Sequence, residues 1–221
     1  MTAIPPLYAI VDVGGGDGAS RRARALSRRL LDAGVRCLQV RAKHLAPRDL
    51  LALARSMRRA CREARALLVV NDRLDAALAA GADGVHLGAS DLSVAVARRL
   101  APGMIIGATV RSAAGARRAI AAGASYVALG PMAPTRTKIV PARRRTEAEL
   151  EAVVAASGSV PVVAVGGITP DRAVALYRAG AASLAVSGAL SGAPDPAPVV
   201  RSFRRAWRLA RRVEGAGASG D

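Results

Sequence analysis

Asp72 and Asp91 each follow an apolar run of strand length, Leu67–Val70 and Gly84–Leu87, and each stands among groups suited to anion chemistry. Comparable positions after other such runs carry Gln39, Arg41, Lys43 and His44, then Asn71, then Thr109 and Arg111, then Thr135, Thr137 and Lys138. Two carboxylates facing cations and hydroxyls suit a divalent metal that bridges to a phosphorylated ligand. Mg²⁺ takes one or two protein carboxylates and completes its octahedron with phosphate oxygens and water. Each acid also has a structural reading as a helix N-cap, Asp72 ahead of Leu74–Ala80 and Asp91 ahead of Leu92–Leu100. Their placement after adjacent strands favours the metal.

Two glycine-bearing turns, Gly166-Gly167 and Ser187-Gly188, follow the last two apolar runs. Backbone N–H groups in such turns can cradle a phosphate. The 33 basic residues include two lysines, Lys43 and Lys138, and both lie in short polar patches that follow predicted strands. A lysine kept where arginine is otherwise used suggests a compact point charge at a phosphate, since a planar guanidinium does not substitute freely there. The plainer alternative is two surface lysines. His86 sits inside an apolar run and reads as a packed, hydrogen-bonded residue, whereas His44, beside Lys43, reads either way. No Ser/His/Asp or Cys/His set can be assembled, and no strand-end lysine has the apolar setting of a Schiff base.

Composition narrows the class. A net charge of +17 raises the question of nucleic acid. The arginines, however, recur at similar helical phase as pairs (Arg21-Arg22, Arg58-Arg59, Arg98-Arg99, Arg117-Arg118), which describes the solvated faces of many helices. No basic stretch is interleaved with stacking aromatics, so nucleic acid is not an expected partner, while small anionic substrates are. Cys37 and Cys61 lack metal or redox spacing and are expected to be buried and reduced. No charged leader with an apolar run opens the chain and no apolar run reaches membrane length, so a cytoplasmic protein with no membrane partner is expected.

These residues need a frame that gathers strand ends. Apolar runs at Leu7–Val11, Cys37–Val40, Leu67–Val70, Gly84–Leu87, Met104–Ile106, Tyr126–Leu129, Val162–Val165 and Ser183–Val186 lack clean alternation, as strands buried on both faces should. Amphipathic stretches such as Ser20–Ala33, Pro47–Ala64, Ala113–Ala122, Thr146–Ala156 and Pro170–Ala179 separate them, and several end in an Ala-Gly step. Eight near-equal strand–helix units with little left over predict a single (β/α)8 TIM barrel over residues 1–213, in preference to an open doubly wound sheet. The Gly/Ala/Ser-rich stretch 214–221 is expected to be a disordered tail.

The motifs resemble the thiamine-phosphate synthase (thiamine-phosphate pyrophosphorylase) family. The resemblance rests on Gln39-Val40-Arg41-Ala42-Lys43, Asn71-Asp72-Arg73, the run from Gly81 to Gly88, Asp91-Leu92, Ile106-Gly107-Ala108-Thr109, Gly130-Pro131, Pro134-Thr135-Arg136-Thr137-Lys138 and Val165-Gly166-Gly167-Ile168. It implies a transferase that joins 4-amino-2-methyl-5-hydroxymethylpyrimidine diphosphate to 4-methyl-5-(2-phosphooxyethyl)thiazole by a dissociative loss of diphosphate. It implies Mg²⁺ held by Asp72 and Asp91, and Arg41, Lys43 and Lys138 as the catalytic cations. Gln39, Val40, Arg41, Ala42, Lys43, Asn71, Thr109 and Lys138 would surround the pyrimidine diphosphate. Thr135, Arg136, Thr137, Gly167, Val186 and Ser187 would surround the thiazole phosphate. The chain departs from the family pattern at Ala42 (usually Glu), Ala89 (usually Gln), Thr109 (Ser), Ser125 (Asp) and Met132-Ala133 (an apolar-Phe pair), changes expected to loosen the pyrimidine pocket.

Two other readings compete. A thiazole tautomerase of the same barrel family would need a general base and no diphosphate–metal site; Gly130-Pro131, both acids and both lysines favour the synthase. A non-enzymatic reading rests on the helix Val199–Val213, where Phe203 and Trp207 lie one turn apart among arginines and could touch a membrane or nucleic acid. Packing of both aromatics on the barrel is the expected outcome. A homo-oligomer is left open.

Overall fold

The computed structural model describes residues 4–134 and 143–216. In chain order the elements are β1 (Leu7–Asp12), α1 (Ala19–Asp32), β2 (Cys37–Arg41), α2 (Pro47–Glu63), β3 (Leu67–Asn71), α3 (Leu74–Ala80), β4 (Gly84–Leu87), α4 (Val94–Leu100), β5 (Ile105–Val110), α5 (Ala113–Ala121), β6 (Tyr126–Leu129), α6 (Glu147–Ser157), β7 (Val162–Val165), α7 (Pro170–Arg178), β8 (Ser183–Val186), α8 (Gly188–Ser191) and α9 (Pro196–Ala216). All strand pairings are parallel, and β1 pairs with both β2 and β8, so the sheet closes into a TIM barrel. Helix α9 runs to Ala216, past the expected boundary at residue 213; residues 217–221 of the expected tail lie outside the described residues.

Register explains why the strands lack clean alternation. Outward residues such as Ala9, Val11, Leu38, Val40, Leu68, Val70 and Val85 join the helices in one apolar layer. Inward residues Tyr8, Cys37, Val69, Tyr126, Ala128, Val163 and Ala185 form a second cluster inside the barrel. Both faces are therefore buried. Toward the C-terminal ends of the strands the inward positions change character, to Gln39, Arg41, Asn71, His86 and Thr109, and these line a cavity there.

The opposite end of the barrel is locked by a repeated arginine device. Arg58 donates to the Gly81 carbonyl (2.7 Å) and pairs with Asp83 (3.1 Å), while Asp83 accepts from the Leu68 N–H (2.8 Å). Arg98 repeats this two strands on: it donates to the Gly123 carbonyl (2.8 Å) and to Ser125 Oγ (2.9 Å), and Ser125 Oγ accepts from the Ile106 N–H (3.1 Å). Cations placed on the last carbonyls of a helix satisfy groups that the helix itself cannot. Ser125 thus precedes β6, far from the strand ends that carry the polar residues. The expectation that it bears on the pyrimidine pocket is corrected: it is part of the lock.

Helix α9 covers the barrel between α1 and α7. Phe203 is fully buried, Trp207 packs edge-on against Tyr177 with ring centroids 5.1 Å apart, and Arg211 lies over the Trp207 ring at 5.0 Å. Both aromatics face the barrel, as expected. No helix among the described residues is long and apolar enough to cross a membrane.

Candidate active site

Two adjoining cavities open at the C-terminal ends of the strands, which is the functional end of this fold. One, of about 400 Å³, is lined over β2 to β5 by Gln39, Arg41, Lys43, Asn71, Asp72, His86, Asp91, Thr109 and Arg111. The other, of about 340 Å³, lies over β7, β8 and β1 and is lined chiefly by apolar groups and glycine, among them Ile10, Pro131, Val165, Gly166, Gly167, Ala185 and Gly188, with Ser187. Ile10, Arg41, Val165 and Ala185 line both. The mouth is therefore divided into an ionic half and an apolar half, with the Arg41 guanidinium at the seam.

Neither acid in the ionic half caps a helix. The cap position of α3 is Arg73, with no side-chain cap bond, and that of α4 is Ser93, whose hydroxyl accepts from the Val96 N–H. Asp72 has φ of +66°, in the left-handed region that an aspartate tolerates better than most side chains, and its N–H donates to the His86 carbonyl at 2.8 Å. This ties the end of β3 to β4. Asp91 is fixed by a tight loop in which its Oδ2 accepts from the Gly88 N–H at 2.6 Å.

The two carboxylates meet. The Asp72 carboxyl is pushed up by partial burial first, then by the hydrogen bond and negative charge of Asp91, and Lys43 acts in the opposite sense. Lys43 Nζ lies 3.4 Å from Asp72 Oδ2. A like charge this close in a half-dry setting disfavours ionisation of Asp72, and a cation between the two carboxylates removes the penalty. Among the described residues no group of three or more His, Cys, Asp or Glu could hold a metal, so a cation here would take this carboxylate pair and find further ligands on substrate or water.

Of the residues expected from sequence, Gln39, Arg41, Lys43, Asn71, Asp72, Asp91 and Thr109 come together in the ionic half. Gly167 and Ser187 stand in the apolar half. Val40 and Val186 are buried with their side chains in the outer layer, so each can offer backbone only. Ala42 is partly buried against that layer. Thr135, Arg136, Thr137 and Lys138 lie outside the described residues. His44 is exposed and lines neither cavity, whereas His86 is hydrogen-bonded at both ring nitrogens, to Tyr126 (3.0 Å) and Thr109 (2.9 Å).

Gly166 and Gly167 both have positive φ, +93° and +65°, and a Cβ on Gly167 would sit 2.5 Å from the Pro134 carbonyl oxygen, so this turn has to be glycine. Among the described residues, the N–H groups of Gly167 and Gly188 meet no backbone acceptor. Both are disposed to receive an anion.

Three residues escaped the sequence reading. Asp12, at the end of β1, pairs with Arg41 at 2.7 Å. Tyr8 and Tyr126 line the floor of the ionic cavity, hydroxyl to hydroxyl at 3.0 Å. Asp12 obeys the strand-end rule that found the other acids. The tyrosines follow from inward register alone, a signal that emerges once the pairing of the strands is known.

The thiamine monophosphate synthase family model matches residues 7–190 of the chain. A thiamine-phosphate synthase from Methanoculleus marisnigri is 45% identical over 199 residues, covering 90% of this chain and 93% of that one. The thiamine biosynthesis bifunctional protein ThiM/ThiE of Symbiobacterium thermophilum is 48% identical over 184 residues; the match takes in 82% of this chain and 38% of that longer protein. Among solved structures, a thiamine phosphate pyrophosphorylase from Pyrococcus furiosus superposes with a TM-score of 0.82 at 34% identity, covering 92% of this chain and 96% of that one. The barrel, the divided mouth and these matches agree, and the chain belongs to the thiamine monophosphate synthase family: it is a transferase of thiamine biosynthesis.

Proposed function

We propose that the protein joins 4-amino-2-methyl-5-hydroxymethylpyrimidine diphosphate to 4-methyl-5-(2-phosphooxyethyl)thiazole, giving thiamine phosphate and diphosphate. The observation that carries this reading is the division of the mouth. The ionic half, with two carboxylates and the cations Arg41 and Lys43, suits a diphosphate on a polar heterocycle. The apolar half, ending in two glycine-bearing turns, suits a small ring with one phosphate.

Asp72 and Asp91 fit Mg²⁺, because their mutual repulsion calls for a cation and their position beside Lys43 leaves room for diphosphate oxygens. Bound there, Mg²⁺ would offset charge on the diphosphate. The chain's own residues do the rest by placement and charge. Gln39 and Asn71 orient the pyrimidine diphosphate, with backbone support at Val40 and Ala42 and a donated bond from Thr109. Arg41, Lys43 and Lys138 neutralise the leaving group as its C–O bond breaks and the electron pair departs with the diphosphate. The aminopyrimidine spreads the positive charge left on its methylene, and the thiazole nitrogen closes the new C–N bond with its lone pair. No protein nucleophile and no general base is required. Thr135, Arg136 and Thr137, the Gly167 N–H and the Val186-Ser187 backbone hold the thiazole phosphate. The unpaired, buried Cys37 and Cys61 support a reducing, cytoplasmic setting.

A tautomerase would need a base, and both nitrogens of His86 are already engaged. The test is to incubate the purified protein with both phosphorylated substrates and Mg²⁺, beside a thiazole tautomerase assay. Thiamine phosphate and diphosphate are the expected products. Isomerisation of a thiazole without coupling would overturn the reading.

A further inference from the structure

A chain of side-chain hydrogen bonds crosses the floor of the ionic cavity from β2 to β5. Gln39 Nε2 donates to the Tyr8 hydroxyl at 2.6 Å, the Tyr8 and Tyr126 hydroxyls are 3.0 Å apart, Tyr126 meets His86 Nδ1 at 3.0 Å, and His86 Nε2 meets Thr109 Oγ1 at 2.9 Å. All five residues line the cavity, with Gln39 and Thr109 at the two ends of the chain. Tyr8 and Tyr126 are buried, and burial pushes both hydroxyls up, so each keeps its proton through the working pH range. The backbone is shaped for the chain: a Cβ on Gly107 of β5 would lie 2.0 Å from Tyr126 Cζ, so the glycine lets the ring cross toward His86.

The direction of the protons follows from the donor at one end. The Tyr8 oxygen accepts from the Gln39 amide, so its single proton goes to Tyr126. In the neutral imidazole with its proton on Nε2, Tyr126 gives its proton to His86 Nδ1 and the Nε2 proton points at Thr109. Thr109 Oγ1 accepts that bond, and its own proton is left for the cavity. At the other end, Gln39 keeps its carbonyl oxygen for the cavity. The floor therefore presents an acceptor on one side and a donor on the other, and the order is set by the two buried tyrosines. An aminopyrimidine diphosphate offers an amino donor, and its ring nitrogens and phosphate oxygens are acceptors.

We propose that Tyr8 and Tyr126 are positioning residues that make Thr109 a hydrogen-bond donor to the pyrimidine diphosphate, acting through His86. The proposal rests on the coupling reaction put forward above. It predicts that Tyr8→Phe and Tyr126→Phe, which keep ring shape and packing, each lower kcat/KM for the pyrimidine diphosphate by about tenfold, the worth of one well-placed hydrogen bond. KM for the thiazole phosphate is expected to stay at its wild-type value. A role through Thr109 makes the losses non-additive. Tyr8→Phe combined with Thr109→Val is expected to be no slower than Thr109→Val alone, whereas Thr109→Ser, which keeps the hydroxyl, is expected to retain the sensitivity to Tyr8→Phe. The experiment is this set of steady-state measurements on the full chain, with thermal unfolding of each variant alongside. Multiplying losses in the double variant, wild-type kinetics in both Phe variants, or equal loss toward both substrates would overturn the proposal. A wild-type protein that makes no thiamine phosphate would instead overturn the functional reading, and this proposal with it.

Discussion

At the scale of residues, the site is an arrangement of charge, and its tension sits at Asp72. Burial and Asp91 together outweigh the Lys43 ammonium there, so the metal-free protein holds a carboxylate it would rather not ionise. Asp72→Asn removes that cost. The variant is expected to unfold roughly 1–2 °C higher than wild type without metal, a modest gain because the pair is partly solvated. It is also expected to lose the rise in unfolding temperature that Mg²⁺ with diphosphate gives the wild-type protein. Thermal unfolding with and without both ligands checks both halves of this statement. The role proposed for Lys138 at the departing diphosphate predicts that Lys138→Ala slows diphosphate release in a single turnover far more than it weakens thiazole phosphate binding. Equal losses would remove it from that role. The gathering of Lys43, Asp72 and Asp91 in one cavity was legible in sequence because each follows an apolar run. Asp12, Arg41 and Asn71 show where that reading stops short: each is the last residue of its strand, one place beyond the apolar run, so the strands extend into the site itself. Tyr8 and Tyr126 were hidden for the opposite reason, since a tyrosine within an apolar run looks like ordinary core until its register turns it inward.

At the scale of elements, strand–helix alternation was readable throughout, and the differences lie at boundaries with local causes. The run read as Met104–Ile106 is a strand over Ile105–Val110, its length disguised by Gly107 and Thr109. The helix read from Leu92 begins at Val94, because the Ser93 hydroxyl caps the Val96 N–H. What the sequence concealed was the task of the arginines at the helix ends. Arg98 donates to the carbonyls of Pro102 (2.7 Å), Met104 (2.8 Å) and Gly123 (2.8 Å) and to Ser125 Oγ (2.9 Å), joining the ends of α4 and α5 to the start of β5. Arg98→Ala leaves these acceptors without their donor and is expected to cost about 1–3 kcal/mol in urea unfolding. The lock is at the end of the barrel away from the mouth, so kcat is expected to be unchanged. A variant that loses activity while keeping its stability would contradict this division of labour.

At the scale of the whole molecule, the net charge of +17 has a local use at the helix ends and a general consequence for encounter. Both substrates are anions, and a positive field raises their association rate in a salt-dependent way. Raising ionic strength from about 20 mM to about 150 mM, which shortens the screening length to about 8 Å, is expected to lower kcat/KM for the pyrimidine diphosphate while leaving kcat nearly constant. A fall in kcat with kcat/KM unchanged would mean that the field plays no part in capture. The barrel delivers those anions to one mouth with two unlike halves, and the proposed chemistry turns on the carboxylate pair in the ionic half. The most direct test of it is the rate of thiamine phosphate formation by the purified protein with Mg²⁺ and then in excess chelator. The rate is expected to collapse in chelator and to return when Mg²⁺ is restored. Full activity in chelator would contradict it.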